Sequence, residues 1–161
     1  MGEFGGKISE AIIDLLIHIS IFDSLDSDEL KNIVKYMNVV EMKAGELIFK
    51  EGERGDYVCF VAEGALDVLK KSETGDHVVI SSLHRGRSIG DMAVLDNFPR
   101  SATVRSRTKA TLITLTRDSF ETILDKHPRI GIKMLKGLAR LLSLNLRKTS
   151  SRLADYMLPV T

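Results

Sequence analysis

One short segment of the sequence, residues 90–103, brings together groups that could bind a small charged molecule. The segment starts with Gly90 and Asp91 and continues into about one turn of helix, whose first backbone N–H groups lack internal partners and suit a phosphate. Arg100 can hold phosphate oxygens in a bidentate fork, and Pro99 restricts the backbone just before it. The carboxylate of Asp91 would repel a phosphate but can accept a hydrogen bond from a sugar hydroxyl. The segment therefore predicts a site for a nucleotide with one charged end and one hydroxylated side.

The composition indicates an ordinary globular domain. The chain has 161 residues, of which 43% are hydrophobic and 28% are charged, and this is enough for one domain with its own core. A net charge of +1 gives no excess that would point to nucleic acid or to a membrane. The single cysteine, Cys59, excludes an intramolecular disulfide and multi-cysteine metal sites, and it favours a cytoplasmic location.

Helical patterns at both ends of the chain enclose a region of short strands. Residues 1–22 contain an apolar run, Ile8–Phe22, with helical spacing; it is too short for a membrane span and lacks the features of a signal peptide. A second helix is expected after Asp26, which forms a capping box with Glu29. A short helix capped by Asp118 should stop before residue 128, and a long helix should follow as far as about residue 153.

Between residues 39 and 118 the apolar stretches are short, often β-branched, and separated by turns that contain glycine. This pattern is typical of a compact antiparallel roll. We therefore predict a mainly β fold with flanking helices, in the α+β class. A jelly-roll-like antiparallel β-roll would occupy residues 23–128, between an N-terminal amphipathic helical segment (1–22) and a long C-terminal helix and tail (129–161).

Residues 90–103 resemble the phosphate-binding cassette of cyclic-nucleotide-binding domains. This family includes the catabolite activator protein, regulatory subunits of cAMP-dependent protein kinase and cyclic-nucleotide-gated channels. Its pattern is Gly-Glu-x-Ala, two apolar residues, three variable residues and Pro-Arg-x-Ala-Thr; this chain reads Gly-Asp-Met-Ala-Val-Leu-Asp-Asn-Phe-Pro-Arg-Ser-Ala-Thr. The glycine-punctuated residues 45–64, residues 83–90 and the stretch 117–124 continue the likeness, which covers roughly residues 22–153.

The resemblance implies a role for each residue of the site. Arg100 would pair with the cyclic phosphate, Ala93 and Ser101 would complete its cradle, and Asp91 would bind the ribose 2′-hydroxyl. The ligand-binding residues expected from the family pattern are Gly90, Asp91, Met92, Ala93, Arg100, Ser101 and Ala102. The glycines at 45, 52, 55 and 64 are assigned to turns with no ligand role.

Asp91 departs from the glutamate of the family pattern and is one methylene shorter. We expect this to cost about 1 kcal/mol of binding free energy, the scale of one imperfect hydrogen bond. The expected ligand is cAMP, with cGMP as the alternative, because the hydroxyl of Ser101 can serve a phosphate or contact a guanine in the syn conformation.

The expected function is regulatory: binding of the cyclic nucleotide would reposition the long C-terminal helix. No catalytic constellation is recognisable, so we expect no enzyme, no required cofactor and no metal. The basic C-terminal helix is a solvated face, a lid that reaches the base through Asn145 or Arg147, or a homodimer seam. Only residues 154–161 follow it, too few for a helix-turn-helix, so direct DNA binding is not expected.

Two alternative functions stay open at this stage. The chain could be an interaction or dimerisation module that keeps the fold and binds no nucleotide, for which Asp91 is the main argument. It could also be a haem sensor that uses Cys59 and His77. The sequence gives no downstream partner.

Overall fold

Two four-stranded antiparallel sheets form the centre of the molecule. A computed structural model describes residues 3–157, and within them the strands are β1 (Asn38–Met42), β2 (Leu47–Phe49), β3 (Tyr57–Glu63), β4 (Ala65–Lys71), β5 (His77–His84), β6 (Ser88–Ile89), β7 (Thr103–Ser106) and β8 (Ala110–Thr116). One sheet has the order β1-β8-β3-β6 and the other β2-β7-β4-β5. The predicted antiparallel β-roll is confirmed.

Helices flank the roll, as predicted. They are α1 (Glu3–Leu16), α2 (Ser27–Val34), α3 (Arg117–Lys126) and α4 (Pro128–Tyr156), and a short 3₁₀ helix (Asp91–Val94) lies between β6 and β7. None of the helices within residues 3–157 combines the length and the hydropathy that crossing a membrane would require.

The predicted capping box at the start of α2 is confirmed. The Asp26 carboxylate accepts hydrogen bonds from the backbone N–H groups of Asp28 and Glu29 at 3.0 and 2.9 Å. The Glu29 carboxylate in turn accepts from the Asp26 N–H at 3.0 Å. Together these bonds satisfy N–H groups that a helix start leaves without partners.

Two helix boundaries differ from the prediction. The helix α1 ends at Leu16, and the chain then turns so that Ile21 and Phe22 enter the core beneath α4. At α3 the capping residue is Thr116 rather than Asp118, because the Thr116 hydroxyl accepts from the Ser119 N–H at 3.1 Å.

The strand β3 separates two apolar cores. Val58 and Phe60 point to the helices, where Phe60 meets the Phe22 ring edge-on at 5.2 Å between ring centroids. Cys59 and Val61 point the other way, into the core between the two sheets. This alternation follows from the two-residue period of a β-strand.

The first half of α4 is fixed to α2 and to the segment that connects α1 with α2. Lys133 pairs with Glu29 at 2.7 Å, and Arg140 pairs with Asp23 at 3.1 Å. Between these pairs a Cβ atom at Gly137 would lie 2.3 Å from the carbonyl oxygen of Ile21. Glycine therefore lets the helix approach the chain closely here, which outweighs its low helix propensity.

Candidate functional site

A cavity of about 560 Å³ lies between residues 89–102 and the second half of α4. All seven of the expected ligand-binding residues, from Gly90 to Ala102, line this cavity. On the opposite wall are Leu142, Asn145, Leu146 and Thr149 of α4. The structure thus places Asn145 at the cavity, whereas Arg147 does not line it.

Arg100 forms the charged floor of the cavity. Its side chain is buried, and its Nη2 donates to the Tyr57 carbonyl oxygen at 2.8 Å. The guanidinium carbon lies 4.0 Å from the centroid of the Phe49 ring and 4.7 Å from that of Tyr57. Its Nε and Nη1 atoms, however, have no hydrogen-bond partner within residues 3–157. Buried donors of this kind are costly unless a ligand completes them.

Backbone hydrogen bonds fix the position of Arg100. Its N–H donates to the Glu53 carbonyl at 2.7 Å, and its own carbonyl accepts from the Gly52 N–H at 2.8 Å. Gly55 lies directly against the side chain, since a Cβ atom there would be 2.1 Å from Arg100 Nε. Gly55, predicted as a turn glycine with no ligand role, thus also makes room for the arginine side chain.

Asp91 supplies the second buried polar group of the cavity. Its Oδ1 atom is buried and has no hydrogen-bond partner among the described residues. Burial raises the pKa of this carboxyl above its ordinary value, while a hydrogen bond from Ser88 and the charge of Arg87 act in the opposite direction. The carboxylate thus faces the cavity with unused acceptor capacity.

The remaining residues of the segment lie around these two groups. Ala93 and Ala102 are buried, and Met92 is about half exposed. The Ala93 N–H donates to the Gly90 carbonyl at 3.0 Å within the 3₁₀ turn, so this amide already has a partner. The Ser101 carbonyl accepts from Lys70 Nζ at 2.5 Å.

Arg117, the first residue of α3, connects this segment to the helices. Its guanidinium donates to the carbonyl oxygens of Ala93, Asp96 and Gly55 and to the Asn97 side chain. The bond from Nε to the Ala93 oxygen measures 2.9 Å. Arg117 belongs to a stretch that resembles the family, but the sequence predicts no role for it at the site, because no local pattern indicates which carbonyl oxygens its side chain reaches.

The structure does not bring the proposed haem ligands together. Cys59 is fully buried in β3, where burial raises the pKa of its thiol to about 12. His77 lies at the exposed start of β5 in the other sheet. Within residues 3–157 no group of three or more histidine, cysteine, aspartate or glutamate side chains is arranged to hold a metal ion.

The similarity of this chain to a known protein family agrees with the cavity that residues 89–102 line. The model of the cyclic nucleotide-binding domain family matches residues 39–127, which span β1 to the end of α3 and include the whole segment 90–103. The chain belongs to the cyclic nucleotide-binding domain family. The segment 90–103 can accordingly be called its cassette.

Individual relatives have regulatory names. The chain is 35% identical over 107 residues to a cAMP-dependent protein kinase regulatory subunit from Blastocladiella emersonii, a match that covers 66% of this chain and 27% of that relative. The chain thus corresponds to a little over a quarter of that protein. The similarity therefore concerns this domain and does not extend to the activity or the partners of the whole relative.

Solved structures share the fold along most of the chain. A cyclic nucleotide-binding domain from Methylobacillus flagellatus superposes with a TM-score of 0.83 at 26% identity, covering 96% of this chain and 86% of that one. The regulatory domain of Toxoplasma gondii PKA, crystallised with cAMP, gives a TM-score of 0.67 at 30% identity and covers 73% of this chain and 44% of that one.

Proposed function

We propose that this domain binds cAMP in the cavity between the cassette and α4 and acts as a regulatory sensor. The observation that carries the proposal is that Arg100 Nε, Arg100 Nη1 and Asp91 Oδ1 lie buried beside one cavity and have no hydrogen-bond partner in the part of the chain that the structure describes. Two donors and one acceptor match a ligand with an anionic phosphodiester and a free ribose hydroxyl. Neutralising a buried guanidinium also removes a charge that is costly to keep unpaired.

In this proposal the phosphate binds to Arg100 and the ribose 2′-hydroxyl donates to Asp91. The shorter aspartate requires a small shift of the cassette or a bridging water, at a cost of about 1 kcal/mol relative to a well-placed hydrogen bond. The buried Asp91 Oδ1 atom, which has no hydrogen-bond partner among the described residues, supports this role, because buried polar atoms nearly always have a partner and a ligand hydroxyl would supply one here.

Binding at the cassette would be transmitted to α4 through Arg117 and α3. The Ala93 N–H donates to the Gly90 carbonyl, so a phosphate that accepts from this N–H must change the 3₁₀ turn. Arg117 donates a hydrogen bond to the Ala93 carbonyl. Arg117 begins α3, which leads directly into α4 at His127 and Pro128. A ligand moves α4 only to the extent that it binds one arrangement better than the other.

The second half of α4 is the segment we propose to move. Its first half is held by Gly137 and two ion pairs, whereas Leu144, Leu146 and Leu153 are largely exposed. These apolar side chains can close over the ligand or, in a homodimer, pack against the same helix of a second copy. The regulatory name of the Blastocladiella relative and the cAMP bound to the Toxoplasma domain support the choice of ligand and of role.

Isothermal titration calorimetry tests the proposal. The protein is first unfolded and refolded to remove any nucleotide carried over from expression. We expect saturable binding of cAMP at one site per chain, weaker binding of cGMP, and much weaker binding of linear 5′-AMP, whose phosphate is not tied back to the ribose. The absence of binding by either cyclic nucleotide would leave the alternative of an interaction module that has kept the fold.

A further inference from the structure

Phe98 is an exposed aromatic residue at the mouth of the cavity. This residue is 74% exposed, whereas Phe22, Phe49, Phe60 and Phe120 are all buried. Leaving a large apolar side chain in water forgoes the free energy that its burial would provide. An aromatic ring in this position is therefore suited to a partner that the cavity receives.

The backbone around Phe98 is held in place. The Phe98 N–H donates to Asp96 Oδ1 at 3.1 Å, and Arg117 donates to the Asp96 carbonyl and to the Asn97 side chain. On the other side Pro99 forms an antiparallel bridge with Arg54. These contacts hold the segment that presents the ring, which lowers the entropy cost of using the ring for binding.

The cavity changes in character from floor to mouth. Arg100 and Asp91 place charge and unused hydrogen-bonding capacity at the floor, whereas Phe98, Met92 and Leu146 present apolar surface that is at least half exposed. A ligand that fits both regions has an anionic, hydroxylated end and a flat, weakly polar end. A nucleotide has this shape, with the base as the flat end.

We propose that Phe98 is the base-stacking residue of this domain, with Leu146 of α4 on the opposite wall of the cavity. The inference rests on the proposed nucleotide-binding function. Phe98 occupies one of the three positions that the family pattern leaves variable, so the contact is a property of this chain. Because every purine offers the same flat face, stacking adds affinity for cAMP and cGMP alike and leaves the choice between them to polar contacts.

The test compares Phe98→Ala with Ile17→Ala by isothermal titration with cAMP. Ile17 directly follows α1 and is 48% exposed, and it lies outside the cassette and does not line the cavity, so it controls for the loss of an exposed apolar side chain. We expect F98A to bind cAMP about tenfold more weakly than the wild type, and I17A to bind as the wild type does. Equal affinities of F98A and I17A would overturn the proposal.

A fluorescence reporter gives a second, independent reading. The chain contains no tryptophan, so Phe98→Trp and Ile17→Trp each introduce a single tryptophan whose emission can be excited selectively. We expect saturating cAMP to quench the emission of F98W and to leave that of I17W unchanged; an unresponsive F98W would contradict stacking. If the wild type binds no cyclic nucleotide, the proposed function fails and this inference with it. Wild-type binding with an unaffected F98A overturns the inference alone.

Discussion

Arg100 passes so close to Gly90 that a Cβ atom at residue 90 would lie 2.3 Å from Arg100 Nη1. Gly90 also has a φ angle of +80°, which residues other than glycine rarely adopt. With Gly55 on its other side, the guanidinium lies in a channel between two glycines and beneath two aromatic rings. The protein thus buries a permanent charge and leaves two of its nitrogens facing the cavity.

Removing the charge of Asp91 should stabilise the ligand-free protein and weaken binding. Asp91→Asn keeps the shape of the side chain but no longer buries a carboxylate, so we expect the free energy of unfolding at neutral pH to rise by about 1 kcal/mol. Thermal unfolding and cAMP titration of the same preparation would show the opposite changes in stability and affinity. A variant that is both less stable and fully able to bind cAMP would contradict the role given to Asp91.

The stability difference between Asp91→Asn and the wild type should shrink as the pH falls. The pKa of Asp91 is raised by burial, so the folded wild type takes up a proton at a higher pH than the unfolded chain does. Its stability therefore increases relative to D91N as the pH falls from the folded pKa towards the ordinary pKa of aspartate. Melting temperatures of both proteins across the acidic range check this, and a constant difference would contradict it.

The cAMP affinity of the wild type should fall over the same acidic range, because protonation removes the carboxylate that accepts the ribose hydroxyl. We expect D91N to show a weak affinity that does not depend on pH in this range. Titrations at a series of pH values in one ionic strength would measure both profiles. Parallel profiles for the two proteins would assign the pH dependence to another group.

Loss of Arg117 should loosen the cassette. Arg117→Gln removes the guanidinium that holds the Ala93 and Asp96 carbonyls, so we expect faster amide hydrogen exchange in residues 91–97 and a several-fold weaker affinity for cAMP. Arg129→Gln is the control, because Arg129 is exposed on α4. Unchanged exchange in residues 91–97 would show that α3 does not hold the cassette through this side chain.

Much of the fold could be predicted from local patterns. The capping box at Asp26, the short β-branched strands and the long helix after Pro128 each depend on neighbouring residues, and each is present in the structure. The cassette could be recognised for the same reason, since its residues are contiguous. Their common lining of one cavity follows from this contiguity.

The rest of the site is assembled by contacts between distant residues. Phe49 and Tyr57 stack on Arg100 from two strands far away in the sequence, and Arg117 reaches the cassette from α3. Gly55 has the spacing of a turn glycine, yet it is needed for the passage of Arg100. No local pattern encodes such contacts, because they depend on how the two sheets and the helices pack.

The central claim is that Arg100 Nε and Nη1, which have no hydrogen-bond partner among the described residues, bind the cyclic phosphate. Titration of Arg100→Met with cAMP tests this claim most directly. Methionine retains much of the apolar stem against Phe49 and Tyr57 and removes the charge; Arg85→Met, an exposed arginine away from the cavity, is the control. We predict that R100M binds about a hundredfold more weakly than the wild type, the loss expected for two charge-assisted hydrogen bonds, and that R85M binds normally. Wild-type affinity in a folded R100M would contradict the account.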